Sequence, residues 1–333
     1  MSVPENQGRG CVVVGLDEHG EPALSLLAAA DEAQRRGIDL AVVTVVRPKL
    51  DPGLNTFGLQ RERNLAQATA LQGLHAAAVS VRASHPQLNV TTYCLGEGEV
   101  GPNREPLLWA DLLVVGTRDR YGRQSLGLGS VSGLLLNSSR CPILVVPDRP
   151  AKHDGRPGEP PLIVVGVSEH PTDAAVVQAA YAASAGRACE VLLVHSYSLR
   201  GEETPEQGRE RVQGLLSAFV AQAPASARVS MALSQEEPAK ALLRLSVDAT
   251  LLVIGGRTGA LSGLVRASVS HAVLEAVPCP VLAVPRHLAQ TRPGPLTGLS
   301  LDETDVDDRA PARPEFVAAS SLTASSLTAF RSR

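Results

Sequence analysis

The chain has 333 residues and a formal net charge of -3, which leaves no overall basic excess for holding nucleic acid. One Trp, four Tyr and four Phe offer little surface for stacking bases. No apolar run approaches the roughly 20 residues that span a bilayer, and the first residues lack a basic-then-apolar leader, so a cytoplasmic protein without membrane partners is expected.

In chain order, short β-branched runs predict strands at Cys11 to Leu16, Leu40 to Val46, Leu88 to Cys94, Leu112 to Gly116 and Ile143 to Val146. They alternate with Ala/Leu stretches of helical spacing. Glu21 to Arg36 carries Leu24, Leu27, Ala28 and Ala33 on one stripe, and a second stretch runs from about Leu59 to Ser80. Short helices are expected near Arg104 to Ala110 and over Ser130 to Ser139, with Trp109 packing against the sheet. Strands apolar on both faces suit the centre of a parallel sheet covered by helices on both sides.

Residues 148–160, charged and rich in Pro and Gly, read as a linker. The same pattern then restarts, with strands expected at Leu162 to Val167, Glu190 to Ser196, Arg228 to Leu233, Thr250 to Gly255 and Val281 to Val284. From residue 286 to 333 the chain is Pro, Gly, Ser, Thr and acid, and a disordered tail is expected. Residues 1–9 form an N-terminal extension.

The restart is a duplication. Cys141-Pro142-Ile143-Leu144-Val145-Val146-Pro147 recurs as Cys279-Pro280-Val281-Leu282-Ala283-Val284-Pro285, and Val12-Val13-Val14-Gly15-Leu16-Asp17-Glu18-His19 is matched by Ile163-Val164-Val165-Gly166-Val167-Ser168-Glu169-His170. Two α/β doubly wound domains follow, over 10–147 and 161–285, each a five-stranded parallel sheet. The odd set Cys11, Cys94, Cys141, Cys189 and Cys279 lacks metal-like spacing and reads as buried reduced thiols. His195, at the end of a buried strand, reads as a satisfied core histidine. Glu18-His19 and Glu169-His170 read as loops leading into the first helix of each copy.

In an open parallel sheet the ligand crevice lies beyond the carboxyl ends of the strands, where strand order reverses. After the fourth strand the chain reads Gly116-Thr117-Arg118-Asp119, nine further residues, then Gly129-Ser130-Val131-Ser132 and an apolar helix. Gly129 lets backbone approach a ligand closely, and Ser130 and Ser132 supply hydroxyls. The free amides opening that helix favour an anion by about 0.3–1 kcal/mol when exposed. Arg118, Arg120 and Arg123 add positive charge, so a phosphate suits this loop. A surface loop shaped by glycines, with Ser130 capping its helix, is the alternative. A dinucleotide reading of Gly127-x-Gly129-x-x-x-Gly133 fails, because the glycines follow the fourth strand rather than the first and no acid closes the second.

With these residues in view, the chain resembles a tandem universal stress protein. The family's nucleotide motif is glycine, two residues, glycine, nine residues, glycine, then Ser or Thr, and the first copy has that spacing. Val14-Gly15-Leu16-Asp17 is similar to the family's opening strand and acid, and the Cys-Pro-Ile-Leu-Val-Val ending is also typical. The resemblance implies Rossmann-like domains of the adenine nucleotide alpha hydrolase type, paired as an internal pseudo-dimer through their final strands, with further homodimerisation open. It implies ATP, alone or with Mg, as ligand. Asp17 and the backbone of Val45 would lie by the adenine, Gly116 by the ribose, and Gly129, Ser130, Val131 and Ser132 around the phosphates.

One departure is plain: the motif's middle glycine is Asp119. A carboxylate about 4 Å from a phosphate charge repels it by about 4 kcal/mol at an effective dielectric of about 20, less when solvated. The three arginines or a divalent cation would offset this. The second copy departs further, with Ser168 for the acid, Thr258 and Ala267 for glycines and a loop one residue shorter, so it is expected empty or weak. Function is read as nucleotide sensing in stress response or signalling, not vigorous turnover. A nucleotide-free interaction scaffold and a slow ATP hydrolase stay open as alternatives.

Overall fold

The computed structural model describes residues 10–16, 24–46, 56–101, 106–117, 140–147, 160–170, 173–185, 188–199, 201–225, 227–256, 273, 274 and 276–285. Contacts divide the chain into two compact units, the first running to Arg149 and the second containing Pro150–Thr258 and the strand Val281–Pro285.

The first unit runs β1 (Cys11–Leu16), α1 (Leu24–Arg36), β2 (Asp39–Val46), α2 (Thr56–Ser84), β3 (Val90–Gly96), β4 (Ala110–Gly116) and β5 (Ile143–Val146). Its strands lie in the order β3-β2-β1-β4-β5, every pair parallel. All six residues of β1 are buried, as are all four of β5. Burial of consecutive residues, whose side chains alternate between faces, requires cover on both sides of the sheet. Helix α1 packs on β1, β4, β2 and β5, and α2 packs on β2 and β3. Helix α1 ends where Gly37 takes φ 64° and its N–H reaches the Gln34 carbonyl at 3.1 Å, a left-handed cap that a side chain would strain.

The second unit runs β6 (Leu162–Gly166), α3 (Asp173–Ser184), β7 (Glu190–Ser196), α4 (Pro205–Val220), β8 (Arg228–Ser234), α5 (Pro238–Leu245), β9 (Ala249–Gly256) and β10 (Val281–Pro285). The order β10-β9-β6-β7-β8 repeats that of the first unit, again wholly parallel. The copies share a small fault as well: the register between first and fourth strands slips at Cys11/Val12 in one and at Leu162/Ile163 in the other. Gly166 brings α5 close to β6, since a Cβ there would stand 3.2 Å from Leu242 and 3.3 Å from Ile254.

Several boundaries differ from expectation. Strand β3 starts at Val90 because Leu88 turns back, its N–H bonding the His85 carbonyl at 3.0 Å. The expected short helix before β4 is a single 3-10 turn, Leu107–Trp109, cut short because Ala110 already pairs with Cys11 in the sheet. Trp109 is 38% exposed in that turn rather than packed away; its carbonyl lies 3.5 Å from the Cys11 thiol. Helix α2 runs three residues beyond its expected start and four beyond its expected end, and α5, of eight residues, has no counterpart among the expected helices. The expected helix over Ser130 to Ser139, the linker up to residue 159 and the tail lie outside the described residues.

Four of the five free cysteines are buried, Cys94 being the intermediate one. Burial pushes the Cys279 thiol up to about 12. Among the described residues no helix is long and apolar enough to cross a membrane.

Candidate functional site

Parallel pairing places the carboxyl ends of β2, β1 and β4 side by side along one edge of the first sheet. Leu16, at the end of β1, pairs with Thr44, whose hydroxyl reaches back to the Leu16 carbonyl at 3.4 Å. Val45 is the next residue of β2 and pairs with Leu95. Val45 as a whole is only 3% exposed, one residue short of the end of β2. Gly15 pairs with Val43 inside the sheet, and Gly116 ends β4 opposite Val146, with Thr117 following through a 3.2 Å bond to the Val146 carbonyl.

Strand order reverses between β1 and β4, since the chain builds outward from β1 through β2 and β3 before crossing to β4 and β5. That reversal is where crossover connections diverge and leave a crevice. Of the expected site residues, Gly15, Val45 and Gly116 are thus brought to one end of three neighbouring strands. Asp17, Arg118, Asp119, Gly129, Ser130, Val131 and Ser132 lie outside the described residues.

The corresponding edge of the second unit carries side-chain chemistry that differs from the first. The carbonyl ending the first strand is again satisfied from the second, here by His195 Nδ1 donating to Val167 at 2.9 Å. His195 takes the place of Thr44 and is 4% exposed, as expected for a satisfied core histidine. Burial holds its pKa below the usual 6.5, with the nearby Arg211 charge adding to the effect and the Val167 bond and Asp173 opposing it.

Ser168 stands where the first copy has Asp17. Its hydroxyl donates to Asp173 Oδ2 at 2.6 Å and its N–H donates to the same oxygen. Asp173 opens α3, where a carboxylate suits the helix dipole, and it is 2% exposed. An acid is therefore present in both copies, shifted five residues along in the second and turned onto its own loop.

Beside this loop, the Arg211 guanidinium on α4 joins two segments. It donates to Glu169 after β6, and it forks onto Glu203 after β7 through Nε at 2.9 Å and Nη2 at 3.2 Å. Nη2 also reaches the Ser198 carbonyl at 3.4 Å. Glu169 Oε1 lies 3.9 Å from His195 Nε2. Sequence reasoning missed Arg211, Glu203 and Asp173. The available signal was a difference between copies: α2 has no Lys or Arg between Arg63 and Arg82, whereas α4 has Arg209 and Arg211.

Among the described residues no group of three or more His, Cys, Asp or Glu is arranged to hold a metal ion.

Comparison with known proteins agrees with the repeated architecture. Universal stress protein Rv2623 of Mycobacterium tuberculosis (strain ATCC 25618 / H37Rv) is 25% identical over 288 residues, covering 81% of this chain and 95% of that protein. Universal stress protein Rv2005c of the same strain is 31% identical over 137 residues, 40% of this chain, and the match spans only 44% of its length. Among solved structures, a universal stress protein from Archaeoglobus fulgidus DSM 4304 superposes with a TM-score of 0.56 at 16% identity, over 82% of this chain and 96% of that one; it shares the fold. The Universal stress protein family itself matches twice, over residues 10–147 and 162–285. With both repeats accounted for, this chain belongs to the universal stress protein family.

Proposed function

We propose that the first unit binds an adenine nucleotide, with ATP as the ligand, and that the protein serves stress response or signalling in the cytoplasm through that binding. The observation that carries this reading is the position of Gly116. It ends β4 at the strand-order reversal, and from it the sequence runs with the nucleotide-motif spacing through Asp119 to Gly129 and Ser130. Val45 supports it by its place alone, as the penultimate residue of β2 next to the end of β1. In this reading Gly15 and Asp17 border the base, Gly116 the ribose, and Arg118, Gly129, Ser130, Val131 and Ser132 the phosphates, with Mg joining where Asp119 needs screening. The second unit is empty or binds much more weakly.

Calorimetric titration of the full chain with ATP tests this. Saturable binding is expected in the wild type, and Gly129→Asp removes it by filling the cradle with a charged side chain. Asp119→Gly tightens it about fivefold, the effect of removing about 1 kcal/mol of solvated repulsion. Asp119 also favours a second reading, a nucleotide-free scaffold, in which neither the wild type nor Asp119→Gly gives saturable heat. Binding rather than turnover is proposed; steady phosphate release that Gly129→Asp abolishes would replace it with slow hydrolysis.

A further inference from the structure

At the carboxyl ends of β6 and β7, Arg211 bonds Glu169 on the segment leaving one strand and Glu203 and the Ser198 carbonyl on the segment leaving the other. A planar guanidinium presents several N–H donors in a fixed fork, so a single side chain can tie two carboxylates together in a way that an ammonium cannot. The clasp is partly shielded, with side-chain exposures of 25% for Arg211, 31% for Glu169 and 14% for Glu203. Beneath it, Ser168 is turned onto Asp173 and His195 is locked to Val167. In the first unit a threonine takes the place of His195, and α2 carries no Lys or Arg between Arg63 and Arg82.

We infer that Arg211 is a clasp that closes the adenine side of the second crevice from within, holding the segments after β6 and β7 together. The placement of the adenine side, by Ser168 and Ser196, rests on the proposed function; the clasp itself rests on the ion pairs alone. Its consequence is a second crevice whose adenine side is taken up by the chain's own charges.

Hydrogen exchange on the full-length chain, resolved to peptides, tests the clasp without any nucleotide. The reporting amides are those of Val167 and Ser168, bonded to Val194 and Asp173, and that of Tyr197, bonded to the Ser234 carbonyl. Arg211→Met, which keeps the apolar stem, is expected to speed exchange in the segments 167–170 and 197–203 together, by about fivefold or more, while α4 keeps its protection. Raising NaCl from about 0.05 to about 1 M on the wild type should loosen the same two segments in parallel, because partly exposed ion pairs are screened. The salt arm needs no substitution, so it stands if Arg211→Met fails to fold. Either segment staying at its starting protection in Arg211→Met, or the two responding separately to salt, overturns the inference. Because neither arm involves ATP, absence of nucleotide binding in the first unit would leave this result untouched, and a failed clasp would leave that binding untouched.

Discussion

At the residue scale, the same backbone requirement is met by different chemistry in the two copies. The carbonyl that ends the first strand needs a donor, and Thr44 supplies a hydroxyl in one unit while His195 supplies a ring N–H in the other. The histidine brings a pH dependence that threonine does not. Its folded pKa is held below 6.5 chiefly by burial, so the unfolded chain takes up the proton first as pH falls. The stability it contributes is thus present above about pH 6.5 and is lost as pH drops below that value toward the folded pKa. Urea unfolding at pH 7.5 and 5.5 should show a smaller loss of stability in His195→Gln than in the wild type; equal losses would assign the pH dependence elsewhere. Glu32 presents the opposite balance. Burial opposes its ionisation, yet hydrogen bonds from Arg35 and the charge of Arg36 prevail and leave its pKa lowered.

At the element scale, helix ends are where local sequence and tertiary position meet. Helix α4 begins with a reciprocal cap: the Thr204 hydroxyl accepts from the Gln207 N–H at 3.3 Å, and the Gln207 side chain accepts from the Thr204 N–H at 2.9 Å, with Pro205 as the first helical residue. That pattern is visible in the sequence and sits one residue from Glu203 of the clasp. Thr204→Ala should cost about 1 kcal/mol, read as a lower urea midpoint at unchanged slope. The strands were legible because residues such as Val12, Val13 and Val14 form runs too short for a helix and too apolar for a surface. The turn at Leu107–Trp109 was not legible, because its length depends on where Ala110 joins the sheet. The exposure of Trp109 is likewise a matter of what neighbours it, which no propensity encodes.

At the scale of the whole molecule, a gene duplication has left two units of the same strand order whose crevices carry different residues. If only the first copy binds, the purified full chain under native mass spectrometry should carry the mass of one nucleotide after incubation with ATP. Two per chain would mean that the second crevice admits ligand despite Arg211, and none would support the scaffold reading. The sequence by itself determined the duplication, the α/β class, the strands and the glycine spacing after Gly116, because hydrophobic periodicity and repeated motifs are local properties of the chain. Only the tertiary structure decided that Val45 is buried at the end of β2, that Asp173 takes up Ser168, and that Arg211 meets a glutamate 42 residues away. Those contacts depend on which strand ends lie side by side, and parallel pairing brings together residues that their positions along the chain keep far apart.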